Sequence, residues 1–283
     1  MSSVYPYLSV NLEIKQSEEL RFPYLDFGFL YGYGLFESIR VYQGRPLLVD
    51  RHLDRLRKGA IILDIPFQYH NEAVYAVIEE LIRKNKLNDG ILNVYLTPGD
   101  RQDDPAKMSI TDPFFLMLLR PWPHYNPSDQ VTLDVRQESF QKTQLDRFKT
   151  LSWMKNVLEK NLASTDHVLL YNSSHHVLEA ANANVFFVKG DVLVTPKSSL
   201  VLPGITRQFL IDFQDEMDLK VLEEEVFLDQ LHSFDELFLT NALRGIILVE
   251  ETVGYSHLCS KSVSKRVQKA YLNHVLTQQV EQV

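Results

Sequence analysis

The chain has 283 residues, with 29 basic and 37 acidic side chains and a formal charge of −8; 45% of residues are hydrophobic and 23% charged. These proportions exclude wholesale disorder, and the length provides for two modest domains that each bury a core. The acidic balance, with no basic run longer than Arg83-Lys84-Asn85-Lys86 or its like, argues against nucleic acid or anionic membrane as the main partner. A lone cysteine, Cys259, rules out an intramolecular disulfide and a multi-thiolate metal site, and it fits a reducing cytoplasm. The first residues lack a basic stretch followed by an apolar one, so neither export nor membrane spanning is expected.

In chain order, FESIRVYQGRPLLV, from Phe36 to Val49, predicts a hairpin around Gly44-Arg45-Pro46. A helix follows, capped by Asp50, with Leu53, Leu56, Ala60 and Leu63 on its buried stripe. A second helix begins at Asn71 and buries Val74, Val77, Ile78, Leu81 and Ile82; GILNVYLTPG and PFFLMLLR then read as strands. Three prolines in RPWPHYNPSD mark a linker at 121–129, so the expected organisation is a smaller domain over 1–120 and a larger one over 130–283. The larger one alternates strands (QVTLDV, HVLLY, VFFV, DVLVT, ELFLT) with helices at Trp153 to Ala163, from Thr206 and from about Ser260. The expected class is α/β (α+β).

Metal and dinucleotide chemistry find little support. His175 and His176 are adjacent and would face opposite ways in a strand, while Asp103-Asp104-Pro105 reads as a loop. The glycines of GFLYGYG precede a strand, whereas a dinucleotide fingerprint opens a helix.

An anionic aromatic aldehyde cofactor suits the chain better. Lys149 stands among Phe148, Leu151, Trp153 and Met154, and apolar surroundings favour the free amine that Schiff-base chemistry requires; Lys142 and Lys155 compete for the role. Glu179 lies in β-rich sequence, where a buried carboxylate needs a cationic partner such as a ring nitrogen. Pro203-Gly204 followed by Thr206 opens a helix of the kind that binds phosphate; Arg55 and the Thr240-Asn241-Ala242 turn could complete the cup.

Five segments in order, YGYGLFESIRVYQGRPLLVDRHLDRL, FKTLSWMKNVL, VLEAANANVFFV, LVLPGITRQFL and ELFLTNALRGI, resemble the fold-type IV pyridoxal-phosphate enzymes, the class-IV aminotransferase and 4-amino-4-deoxychorismate lyase group. The resemblance spans nearly the whole chain. It implies two α/β domains in the D-amino acid aminotransferase-like architecture and a homodimer whose partner contributes to the pocket. It also implies that pyridoxal 5'-phosphate is held covalently by Lys149, with Glu179 on the pyridine nitrogen. Arg55, Ile205, Thr206, Thr240, Asn241 and Ala242 would bind the phosphate. Phe36, Arg40 and Arg101 are candidates for contact with a small amino substrate. The chain departs from the family in having Asp26-Phe27-Gly28 and Gly32-Tyr33-Gly34 where Asp-Arg-Gly and Gly-Asp-Gly are common. It also has Ala242 where many relatives carry a hydroxyl, and Phe36 and Trp153 where several carry a tyrosine. The TNAL turn and compact length favour the lyase; a branched-chain or D-amino acid aminotransferase is the alternative, and a protein that keeps the fold without turnover is the third reading.

Overall fold

A computed structural model describes residues 5–99, 112–123, 125–126 and 128–278. Arg101 and the Asp103-Asp104-Pro105 loop lie outside the described residues. The described chain divides into two compact units: residues up to 123 together with 148–153, and residues from 125 onward apart from those six. The expected single division at 121–129 is therefore amended. The stretch around Lys149, expected in the larger domain, belongs to the first unit.

The first unit contains β1 (Tyr7–Val10), β2 (Glu13–Gln16), α1 (Phe27–Tyr31), β3 (Leu35–Tyr42), β4 (Arg45–Pro46), α2 (Val49–Ile62), α3 (Asn71–Asn85), β5 (Gly90–Thr97) and β6 (Phe114–Pro121). Its strands form one antiparallel sheet in the order β2-β1-β6-β5-β3-β4. Side chains alternate across a strand, so Leu35, Ile39 and Val41 meet the stripe Leu53, Leu56 and Ala60 of α2, together with Val74, Ile78 and Leu81 of α3. Burying each such aliphatic side chain contributes about 1.5–3 kcal/mol. Asp50 is not the cap expected of it. Leu48 occupies that position, and Asp50, one turn-start inside, accepts a 3.1 Å bond from Asn71. The glycine-rich segment holds α1, a short helix that the strand-like reading of its surroundings missed. Its N-terminus is capped by Asp26, which accepts from the Gly28 amide, and Gly32 ends it with φ +66°.

The second unit contains β7 (Val131–Gln137), α4 (Met154–Leu162), β8 (His167–Tyr171), β9 (Val177–Ala180), β10 (Asn184–Lys189), β11 (Val192–Pro196), α5 (Ile205–Asp212), β12 (Lys220–Glu224), β13 (Glu236–Asn241), β14 (Gly245–Thr252) and α6 (Ser262–Gln278). Its sheet runs β12-β11-β10-β13-β14-β7-β8-β9; β11/β12, β14/β7 and β7/β8 are parallel pairs and the others antiparallel. The continuous apolar runs VFFV and ELFL place Phe186 and Phe238 stacked 5.2 Å apart in the interior. Strand β12 did not stand out in the sequence because three of the five residues of KVLEE are charged. No helix among the described residues is long and apolar enough to cross a membrane.

Candidate functional site

In the first unit the lysine segment lies along the start of β3. The Phe36 amide donates to the Lys149 carbonyl at 2.9 Å, the Leu151 amide donates to the Gly34 carbonyl at 2.9 Å, and Leu35 bridges Thr150. This pairing sets the Lys149 amine 4.3 Å from the centres of both the Phe36 and Trp153 rings, which themselves meet edge to face at 5.3 Å. Two π faces favour a cation at this nitrogen. The lysine is half-buried, so the aromatic contacts, more than complete burial, distinguish its surroundings.

The three lysines named from the sequence therefore separate by environment. Lys155 donates to the Gln141 carbonyl and lies 3.6 Å from Asp146, a half-exposed pairing. Lys142 is buried against the Glu179 carboxylate. Only Lys149 of the three is framed by aromatic rings.

On the opposite face of β3, Glu37 is fully buried. Arg55 of α2 grips it with two bonds, from Nε at 2.8 Å and Nη2 at 2.7 Å, and His52 lies 2.6 Å from the same carboxylate. Burial pushes the Glu37 carboxyl up, but the Arg55 guanidinium and His52 outweigh it and bring its pKa down to about 2. Burial also holds the His52 imidazole below its usual range, opposed by Glu37, with Arg55 and the Lys149 charge pushing the same way as burial. The ring is thus neutral at pH 7, and Nδ1–H donates to Glu37. Glu37 and His52 escaped the sequence reading. The alternation that put Phe36 on one face put Glu37 on the other, and an acid in a strand followed by a helical arginine nearly two turns from that helix's start was the available signal.

Arg40 is a correction. Its guanidinium lies 3.8 Å over the Trp122 ring and donates to Asp89 at 2.8 Å and to the Gly90 carbonyl at 3.1 Å. Burial lowers its pKa, with Asp89 opposing. Its charge is thus engaged at the β3–β5 end of the sheet, a structural setting that the expectation of a substrate-carboxylate group did not include.

In the second unit, Glu179 at the end of β9 is 4% exposed. Besides Lys142, it accepts from Asn184 Nδ2 at 2.9 Å and from the Leu202 amide at 3.2 Å to each oxygen. Asn184 also donates to the Leu202 carbonyl at 2.9 Å, so one side chain ties the carboxylate to the 198–204 loop. Gly204 at the start of α5 is required by this close approach, because a Cβ there would stand 1.9 Å from Asn184 Oδ1. Gly204→Ala is expected to push Asn184 away from Glu179 and to destabilise the fold by about 1–3 kcal/mol. Thermal unfolding of the variant checks this, and an unchanged Tm would contradict it.

The start of α5 and the end of β13 converge. Thr206 is buried, donates to the Asn241 carbonyl at 3.0 Å and lies 3.5 Å from the Tyr271 hydroxyl of α6. Asn241 Oδ1 accepts from the Leu243 and Arg244 amides at 3.2 and 2.9 Å, closing the turn that contains Ala242. Thr240 is 1% exposed, and its hydroxyl has no hydrogen-bond partner among the described residues. A buried hydroxyl without a partner beside a helix start is suited to an oxygen-rich anion. The structure thus gathers Ile205, Thr206, Thr240, Asn241 and Ala242 in one region of the second unit, while Arg55, Phe36 and Lys149 lie in the first. The His175 amide closes a turn on the Asn172 carbonyl, and His176, bridged to Phe227, packs its ring on that phenylalanine at 4.3 Å.

Comparison with known proteins agrees with this architecture. A putative branched-chain-amino-acid aminotransferase of Methanocaldococcus jannaschii is 32% identical over 254 residues, covering 87% of each chain. The aminodeoxychorismate lyase of Bacillus subtilis is 27% identical over 231 residues, covering 78% of each. Among solved structures, the branched-chain amino acid aminotransferase of Escherichia coli superposes with a TM-score of 0.85 at 24% identity, covering 96% of this chain and 95% of that one. Residues 34–252 match the family described as amino-transferase class IV, and with more than half of the sequence matched the chain belongs to that family.

Proposed function

We propose that the protein binds pyridoxal 5'-phosphate and acts as a 4-amino-4-deoxychorismate lyase, working as a homodimer. The observation that carries the cofactor reading is Glu179, a buried carboxylate held by three sets of donors, in the same unit as a buried Thr240 hydroxyl at the end of β13 that has no hydrogen-bond partner among the described residues. These residues fit the two ends of such a cofactor: Glu179 for the ring nitrogen, and Ile205, Thr206, Thr240, Asn241 and Ala242 for the phosphate. Arg55, whose guanidinium is held by Glu37 within the first unit, is proposed as a further phosphate-binding residue. Bound pyridoxal phosphate supplies an aldehyde that captures primary amines and a ring that takes up electrons from the substrate's α-carbon.

Lys149 Nζ would be the amine that holds the cofactor's aldehyde and the group that would carry a substrate proton. The Phe36 and Trp153 faces favour the ammonium that results and limit water around it. For the lyase, release of pyruvate lets the substrate ring aromatise to 4-aminobenzoate. Support for this outcome comes from the Asn241-closed TNAL turn and the likeness to the Bacillus lyase. The 32% identity to the Methanocaldococcus protein favours a second reading, amino transfer to a keto acid; a D-amino acid substrate belongs to that reading too. The homodimer proposal is supported by Phe22, Tyr24, Leu25, Phe29, Leu30 and Tyr31, large apolar side chains 46–74% exposed around α1. Sedimentation at micromolar concentration is expected to give twice the chain mass.

The deciding assay supplies 4-amino-4-deoxychorismate and, separately, L- and D-amino acids with 2-oxoglutarate. Pyruvate and 4-aminobenzoate without glutamate are expected. Glutamate formation with no aromatic product would replace the lyase by the transaminase.

A further inference from the structure

Lys142 stands apart from the lysines that tolerate solvent. It is 7% exposed, it lies seven residues before the lysine to which the chemistry is assigned, and its ammonium rests on Glu179. Long basic side chains are rarely buried unless a partner and a rigid backbone hold them there. Both are present. Glu159 accepts from the Ser139 amide at 2.5 Å, the Phe140 amide at 3.0 Å and Arg136 at 2.6 Å, fixing the approach to the lysine; Glu138 accepts from the Lys142 amide itself at 3.1 Å. Burial pushes the Glu138 carboxyl up, with Lys142 opposing. The 136–142 loop is thus riveted so that one ammonium reaches one carboxylate.

Glu179 has about four lone-pair directions. Asn184 uses one and the Leu202 amide is shared between both oxygens, so the ammonium occupies one of the few that remain. Two cations directed at one buried carboxylate repel each other, and in a poorly screened interior that repulsion is felt.

Resting on the cofactor reading above, we propose that Lys142 is a positioning residue that sets how firmly Glu179 holds a protonated ring nitrogen. It acts as the counter-ion of Glu179 when the ring is absent and as a rival charge when the ring is present. Its presence stabilises the cofactor-free fold and weakens the grip on the cationic ring, so cofactor loading is moderated by a residue that touches neither aldehyde nor phosphate.

The two roles predict opposite signs in one variant, which a merely structural lysine would not. Lys142→Met is expected to lower the Tm of the cofactor-free protein while tightening pyridoxal phosphate binding about tenfold, because the carboxylate loses its counter-ion and the ring loses its competitor. Lys142→Gln keeps a donor without the charge and is expected to tighten binding in the same direction should the methionine variant fold poorly; Lys142→Arg is expected to restore both values. The carbocyclic analogue, with a C–H in place of the ring nitrogen, is the control and is expected to bind all four proteins alike. Equal or weaker pyridoxal phosphate binding by both neutral variants, or equal tightening of the carbocyclic analogue, overturns the proposal. Should Glu179→Gln leave pyridoxal phosphate affinity untouched, the cofactor reading itself falls and takes this role with it. An intact effect of Glu179→Gln with no tightening at position 142 removes the Lys142 role alone.

Discussion

Lys149→Ala is expected to give a protein that no longer forms a borohydride-reducible link to pyridoxal phosphate and whose turnover falls by at least about a thousandfold. The expectation follows from the contrast among three nearby lysines. A nitrogen that is to be displaced by substrate and then carry a proton must change partners during the cycle. The Lys142 ammonium is locked to a buried carboxylate, and the Lys155 ammonium is paired at the surface. The Lys149 amine lies 4.3 Å from the centres of two aromatic rings, Phe36 and Trp153, surroundings that neither of the other two lysines shares. Peptide mapping after reduction reads the result directly. A label on residue 142 or 155, or none in saturated wild-type protein, would refute the assignment.

Glu37→Gln is expected to lower stability at pH 7 by about 3 kcal/mol, because a neutral amide replaces the buried carboxylate that the Arg55 guanidinium grips. The pH dependence has a definite sign. Glu37 has a folded pKa of about 2, below the ordinary carboxyl value of 4.5, so its contribution is fully present above pH 4.5 and is lost as pH falls toward 2. His52, held below its usual 6.5 by burial, adds a loss that begins as pH falls below 6.5, since the unfolded chain then takes up a proton the folded one resists. Wild-type protein should therefore lose stability in two acid stages. In the glutamine variant the stage between pH 4.5 and 2 should be absent, as measured by denaturant unfolding across pH. Parallel profiles for the two proteins would contradict the assignment of charge in this cluster.

Periodicity carried much of the architecture. The stripes of α2 and α3 and the apolar runs of β10 and β13 were legible because each element's repeat matches the face it buries. Elements that obey local chemistry were not. Helix α1 is five residues held by Asp26 and a left-handed Gly32, too short for any period to register. At the site, residues with direct motif support, such as Glu179 and Thr206, have surroundings consistent with their expected work. Arg40 did not, because an arginine in a strand reads the same whether it faces a ligand or closes the sheet on Asp89. Lys142 was legible only as a rival of Lys149, since its partner lies 37 residues away and the loop that aims it is built from side-chain bonds to Glu159 and Glu138.

The return of residues 148–153 to the first unit bears on how the polypeptide could be cut. A fragment ending at residue 123 would leave the Phe36 amide and the Gly34 carbonyl without their mates from Lys149 and Leu151, and would expose Leu35 where Thr150 now lies. A sequence-contiguous amino-terminal piece is thus missing part of its own sheet margin. Splitting this chain into autonomous halves calls for grafting a six-residue strip by a new covalent route, and simple truncation is the wrong operation.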